Sequence, residues 1–309
     1  MVLCFDIGGT SIKYGAAREE NSQIVFDARW ETPTDAKRLR GPGIEQKIVD
    51  LIDSLCRQFA PEGIAISTAG MVDHKTGAIL YANENIPEYT GRNLKLAVEN
   101  HFYLPCAVEN DVNCAALGEV AYGAGRGADS VLCLTVGTGI GCGALIDGRL
   151  YRGYRNRGME MGHITVKCDG EGCACGGVGC LEHYASTSAL VRRFCELNGS
   201  ARDAEVDGKD VVFFYKEGNP AAVQAMEEHW NYLAHGIASM INLFAPQRVV
   251  VGGGISEAGD FYLEKLREGV RRQMMSVCGE ETELVAARLG NRAGCMGAAG
   301  LVLDKMQGR

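Results

Sequence analysis

The sequence predicts an α/β protein of two lobes, and three observations carry that prediction. The first is internal resemblance. Leu3-Cys4-Phe5-Asp6-Ile7-Gly8 matches Leu132-Cys133-Leu134-Thr135-Val136-Gly137, and each is followed by Gly and Thr residues and a second apolar strand. Leu132 follows Leu3 by 129 positions, too long for a solenoid repeat but right for a duplicated lobe whose two glycine turns face each other across a cleft. The second observation is length, since 309 residues exceed what one simple core holds comfortably. The third is glycine: 41 residues, nearly twice the average share of about 7%. Such an excess suggests tight turns where backbone meets ligand.

Taken in order, the apolar run 2–6, the Gly8-Gly9-Thr10 turn and the apolar run 12–17 predict a β-hairpin, with a third strand near 23–30. The polar stretch 33–43, bracketed by Pro and Gly, predicts a loop. Ile44, Ile48, Leu51, Ile52 and Leu55 give helical spacing over 44–59. Residues 63–67 read as a short buried strand, 93–101 as a helix, 107–110 as a strand end and 111–123 as a helix of small residues. After the second strand, turn and strand, residues 149–181 are irregular and the remainder is largely helical. Asn219 and Pro220 are N-cap and first-turn residues of a helix to about 244. Residues 248–254 predict a buried strand running into glycines, with helices over 259–275 and 294–306. The expected lobes are 1–117 completed by 294–309, and 118–293.

Composition excludes several classes. Hydrophobic residues at 46% and charged residues at 23% are globular values, so the chain is neither disordered nor fibrous. A net charge of −8 with no dense Lys/Arg block argues against nucleic acid and anionic membrane as partners. No basic leader precedes the first strand and no apolar run approaches about 18 residues, so a cytoplasmic protein is expected. Thirteen cysteines are an odd number in a long chain without a secretion signal. Reduced thiols and a metal site are expected rather than a disulfide framework.

Phosphate binding needs backbone N–H groups that converge on an anion, and glycine permits the close approach. Three turns qualify: Asp6-Ile7-Gly8-Gly9-Thr10, Gly137-Thr138-Gly139 and Gly252-Gly253-Gly254. Asp6 adds a carboxylate suited to the water shell of Mg²⁺. No G-x-x-x-x-G-K-[ST] occurs, so a P-loop is unsupported. Gly139 to Ala144 fits the loose dinucleotide pattern, but the residues after it read as a hairpin where that motif requires a helix.

His163, Cys173, Cys175 and Cys180 supply one nitrogen and three sulfurs, the donor set of a closed, structural tetrahedral zinc, with Cys168 available as a substitute. At Glu109-Asn110-Asp111 a strand end meets a helix start. Asn110 is the expected N-cap, and the helix dipole is expected to keep Asp111 ionised as a general base. Glu160 and Glu182 flank the metal loop. Carboxylates and amides without a basic cluster suit a neutral polyhydroxylated ligand.

These residues resemble the ROK family (repressor, open reading frame, kinase) of the hexokinase and actin-like group. The resemblance runs through DIGGT at 6–10, NIP at 85–87, ENDVNCAALGE at 109–119, GTGIG at 137–141, and E-x-G-H with C-x-C-G-x-x-G-C-x-E across 160–182. It implies the two-lobed actin/hexokinase-like, ribonuclease H-like fold, and ATP-dependent phosphorylation of a hexose at its 6-hydroxyl. Asp111 is then the base, and Gly70, Asn85, Asn110, Glu160, His163 and Glu182 hold the sugar. ATP and Mg²⁺ engage Asp6, Gly8, Gly9, Thr10, Lys13, Gly137, Thr138 and Gly139, while Gly253 and Gly254 lie by the nucleoside. The resemblance also implies a homodimer. Many glucokinases of the family carry Lys directly after DIGGT, whereas Ser11 stands here and the nearest lysine is Lys13. The alternatives are a sugar-sensing transcriptional regulator, whose reading helix has no room before a strand that starts at residue 2, and a noncatalytic sugar-binding protein.

Overall fold

The structure is a computed structural model that describes residues 1–199 and 206–308. The fold is α/β with two mixed five-stranded sheets. Residues 1–126, 150–158 and 291–309 form one compact unit, and residues 127–149 and 159–290 form the other.

In the first unit β1 (Val2–Ile7), β2 (Ser11–Glu20) and β3 (Gln23–Pro33) form an antiparallel meander and lead into α1 (Ala36–Cys56). There follow β4 (Gly63–Thr68), the hairpin of β5 (Met71–Asp73) and β6 (Ala78–Tyr81), α2 (Leu94–Phe102), β7 (Cys106–Asn110) and α3 (Asp111–Tyr122). The sheet order is β3-β2-β1-β4-β7, with β1, β4 and β7 parallel. Strands covered on both faces read as apolar runs, and Leu3, Phe5, Ile7, Ile64 and Ile66 are fully buried with Ile44, Ile48 and Ile52 of α1.

The predicted loop over 33–43 is corrected: α1 begins at Ala36 and breaks at Arg40, whose φ is 55°. Its polar residues Lys37, Arg38 and Arg40 are exposed on a helix turn. Pro42, which lacks an N–H, opens the second helical piece, where that loss is tolerated. The β5–β6 hairpin was not foreseen. Its turn is built by Asp73, whose Oδ1 accepts from the N–H groups of Lys75 and Thr76, and by Gly77 at φ 73°.

In the second unit β8 (Val131–Val136) and β9 (Ile140–Ile146) repeat the antiparallel pair, followed by β10 (Arg149–Tyr151). The run from Gly139 to Ala144 enters a strand, so the dinucleotide pattern lacks its helix. Residues 152–180 contain only two short 3-10 turns. Then come α4 (Leu181–Ala185), α5 (Thr187–Asn198), α6 (Gly208–Lys216), α7 (Pro220–Phe244), β11 (Arg248–Gly252), α8 (Asp260–Gln273), α9 (Ser276–Gly279) and β12 (Glu283–Ala286). The sheet order β10-β9-β8-β11-β12 places β11 parallel to β8 and β12. Asn219 caps α7 by accepting from the N–H of Ala222, with Pro220 in the first turn. Met226, Leu233 and Ile237 of α7 are fully buried in one cluster with Leu134, Val249, Val251 and Leu266.

The chain closes with α10 (Ala293–Gln307), which belongs to the first unit. A Cβ at Gly118 of α3 or Gly297 of α10 would collide with backbone of the other helix, so paired glycines permit the close crossing. A boundary between 117 and 118 would cut α3; the helix stays whole, and the first unit also takes residues 150–158.

Candidate functional site

The first unit gathers its polar side chains at the carboxyl ends of its parallel strands, the edge where open α/β sheets bind ligands. Asp6, Ser67 and Glu109 are register neighbours across β1, β4 and β7. Ser67 Oγ donates to Asp6 Oδ1 at 2.6 Å. Beyond Asp6 the turn is closed by the Gly8 N–H on the Ser11 carbonyl at 3.0 Å, and Thr34 Oγ1 donates to the Gly8 carbonyl at 2.6 Å. Gly9 and Thr10 are exposed, and a Cβ at Gly9 would lie 3.7 Å from the Cβ of Asn85, which places Asn85 beside the turn. Neither Gly8 nor Gly9 has a positive φ. The missing side chain of exposed Gly9, rather than a left-handed backbone, leaves the turn open to a ligand, while the Gly8 N–H is engaged by Ser11.

Asn110 is the N-cap of α3, its Oδ1 accepting from the N–H groups of Val112 and Asn113. Its Nδ2 donates to the Gly70 carbonyl and to Asp111 Oδ1, each at 2.9 Å. Gly70 has φ 99°, and a Cβ there would lie 2.8 Å from the Tyr81 carbonyl oxygen. One backbone turn, one amide and the carboxyl of Asp111 are thereby fixed together.

The expectation that the helix dipole keeps Asp111 ionised is corrected. Burial, with a smaller push from the charge of Asp6, raises its pKa to about 7 against the lowering effect of the N–H of Val112 and the amide of Asn110. Desolvation and a like charge outweigh the helix start. Asp6 is likewise raised by burial, while Ser67 and Lys13 oppose the shift; Lys13 is its partner across β1 and β2. Sequence reading missed Ser67 and also Gly294 of α10, where a Cβ would lie 2.9 Å from the Asp6 carboxyl. The Asp6 carboxyl with the Ser67 hydroxyl on it is a hard oxygen donor set that suits a divalent cation of the Mg²⁺ kind.

In the second unit the Gly137-Thr138-Gly139 turn is closed by the Gly137 N–H on the Gly139 carbonyl at 2.9 Å. Glu182 of α4 accepts the Ile140 N–H on Oε2 at 2.9 Å, and a Cβ at Gly139 would collide with that carboxylate. Gly253, at φ 92°, has no room for a side chain against the backbone of Val136, so it sits under the same turn; around Gly254 there is open space. Glu160 lies between two influences: burial and Glu182 raise its pKa, while His163 lowers it.

His163, Cys173, Cys175 and Cys180 come together, with all four ligand atoms within 4.8 Å of one another. Cys173 Sγ lies 3.7 Å from His163 Nδ1, and Cys175 Sγ 3.6 Å from Cys180 Sγ. Sulfurs at about 2.3 Å from a tetrahedral zinc stand about 3.8 Å apart, so the donors fit the ion. Among the described residues Cys168 lies outside this group. Nδ1 faces the thiols, which leaves Nε2 of His163 for a second partner.

Over residues 2–305 the chain matches the family model described as the ROK family. A glucokinase of Streptomyces coelicolor is 35% identical over 318 residues, covering 98% of this chain and 98% of that one. The crystal structure of a ROK family glucokinase from Streptomyces griseus, in complex with glucose and AMPPNP, aligns with a TM-score of 0.82 at 34% identity, covering 98% of this chain and 99% of that one. A xylose repressor of Bacillus subtilis is 29% identical over 262 residues, 83% of this chain and 66% of the repressor. Among the described residues no helix is long and apolar enough to cross a membrane.

Proposed function

The chain belongs to the ROK family, and on that premise we propose that it is a sugar kinase. It transfers the γ-phosphoryl group of ATP to the 6-hydroxyl of a hexose, glucose-like or an N-acetylhexosamine. The observation that carries this reading is Asp111, a carboxyl with its pKa raised to about 7 and one oxygen tied down by Asn110 and Val112. A base works best when its pKa lies near the working pH. Oδ1 is occupied by its donors, so Oδ2 accepts the proton of the attacking hydroxyl.

Phosphoryl transfer is mostly positioning and charge neutralisation. The turns Gly8-Gly9-Thr10 and Gly137-Thr138-Gly139 let phosphate oxygens approach the backbone closely and add the Thr10 and Thr138 hydroxyls, with Lys13 adding a cation and Gly253 and Gly254 flanking the nucleoside; Gly8 and Gly137 close the turns with their own N–H groups. Asp6 would hold Mg²⁺ through water, and the ion supplies neutralisation of phosphate charge when bound. For the sugar, the first unit offers Gly70, Asn85 and Asn110; the second offers Glu160, Nε2 of His163 and Oε1 of Glu182. His163, Cys173, Cys175 and Cys180 would hold Zn²⁺, which when bound supplies a cross-link worth about 10–16 kcal/mol of apparent binding energy to a loop with little apolar content. A homodimer in the cytoplasm belongs to the same proposal.

A panel of hexoses in a coupled ADP-release assay tests it. ADP release that requires both ATP and one of the sugars supports the kinase. The relation to a xylose repressor favours one second reading, a sugar-sensing regulator, and sugar binding without ADP release would point to it.

A further inference from the structure

We propose that Arg152 is a positioning residue for the phosphoryl transfer, acting on Asp111 through Glu109. The proposal rests on the reading of Asp111 as the base. Glu109 is 1% exposed, at the end of β7, directly before the N-cap of α3. Its Oε2 accepts from Nε of Arg152 at 2.6 Å. Its Oε1 accepts from the backbone N–H of Asn110 at 2.9 Å and from Nδ2 of Asn113 at 3.0 Å. Asn110 in turn holds Asp111 Oδ1. A continuous chain of charge-assisted bonds therefore runs from the guanidinium to the base, and it grips α3 at both Asn110 and Asn113.

Stability alone gives a poor reason for this pair. A buried ion pair seldom outperforms two apolar side chains of similar volume, and it leaves an uncompensated charge when one partner is removed. What it supplies is geometry. Glu109 shares its polar row with Asp6, and Asp6 interacts electrostatically with Asp111. Without the cation, three carboxyls would crowd one end of the sheet, and Glu109 would swing away from them. Two bonds that fix the first turn of α3 would go with it. Arg152 lies 43 positions along the chain from Glu109, on a segment, 150–158, that belongs to the first unit although its flanks belong to the second.

The test compares Arg152→Gln, Arg152→Lys, Asp111→Asn and the double variant Arg152→Gln with Asp111→Asn, all by hexose-dependent ADP release, with ATP affinity and thermal midpoint recorded alongside. Misplacing a catalytic group by about 1 Å costs up to about a hundredfold, so Arg152→Gln should lose about ten- to a hundredfold in kcat while KM for ATP changes less than about twofold. Arg152→Lys, which keeps a cation for Glu109, should recover most of that loss. The double variant should be no slower than Asp111→Asn, because there is no base left to misplace. Should Arg152→Gln fail to fold, Glu109→Ala, which removes the acceptor that holds Asn110 and Asn113, takes its place: it should lose about ten- to a hundredfold in kcat and add nothing to the loss of Asp111→Asn. A kcat within about threefold of wild type overturns the proposal, as does a loss that Arg152→Lys does not recover or one that adds in full to Asp111→Asn. Near wild-type kcat in Asp111→Asn overturns the base reading itself, and this proposal with it.

Discussion

Where β1 of the first unit carries Asp6 opposite Ser67 of β4, the matching strand β8 of the second unit carries Thr135 opposite Gly252 of β11. Around these positions the two sheets are alike. Both pair their first two strands antiparallel, both place two further strands parallel to the first, and both turn through Gly, Thr and Gly residues after the first strand. The chemistry is divided unequally on this common frame. The first unit invests in carboxyls whose pKa burial raises: Asp6 has Gly294 beside it to leave room, and Asp111 follows a cap. The second unit spends its special residues on shape, with Gly253 under the turn, Glu182 tying the turn to α4, and a thiol and imidazole cluster in place of an apolar core for its long loop. On the proposed reading, the repeated strand–turn–strand marks where phosphate lies, and single residues at the strand ends decide which copy does chemistry.

The comparison breaks most easily at the base. Asp111→Asn keeps size and capping geometry while removing the basic oxygen, and it should lose at least about a hundredfold in kcat. Steady-state ADP release checks this, with zinc content and ATP affinity expected to stay as in wild type. Next in size is the pair at the strand ends. Asp6→Asn should cost about tenfold or more in kcat/KM for ATP, whereas Thr135→Val should stay within about threefold. Equal losses would mean that both copies carry chemistry.

Cys175→Ala sharpens the other side. It should drop bound zinc from one per chain to none, as read by elemental analysis, and raise the sugar KM several-fold more than it lowers kcat, because it loosens the loop that presents Glu160 and Glu182. Unchanged metal content in that variant would remove the cluster from the account.

The smallest effect is on stability. The folded-state pKa of Asp111, about 7, lies above its ordinary value of 3.8. Its contribution is therefore fully present below about pH 4 and is lost as the pH rises through about 7. Asp111→Asn should accordingly melt a few degrees above wild type at pH 8 and close to it at pH 4, by calorimetry. The opposite order would mean that the native fold favours the ionised carboxyl.

What could be read in the sequence is what adjacent residue types spell out. The LCFDIG and LCLTVG runs, their glycine turns, the metal donors and the Asn219-Pro220 helix start all lie within short windows, and the structure places an element or a cluster at each. The helix of 36–40 was hidden because its exposed side chains and Pro42 look like a loop. The raised pKa of Asp111 was hidden for a different reason. It arises from burial and from Asp6, more than a hundred positions away in the chain, while the local signal, a helix start, points to the opposite shift. Ser67 under Asp6 and Arg152 behind Glu109 are also long-range partners, 61 and 43 positions distant, and no local pattern announces them.

The central claim, that a carboxyl of the first unit with a raised pKa is the base, is tested most directly by the pH dependence of kcat/KM for the best hexose of the panel. Asp6 contributes to the raised pKa of Asp111, so the profile reports an apparent value. The account predicts that wild-type activity falls as the pH drops through about 7, along a limb of roughly one proton, and that the small residual activity of Asp111→Asn lacks this limb. Wild-type activity that stays level from about pH 8 down to about pH 5, or the same limb persisting in Asp111→Asn, would contradict it.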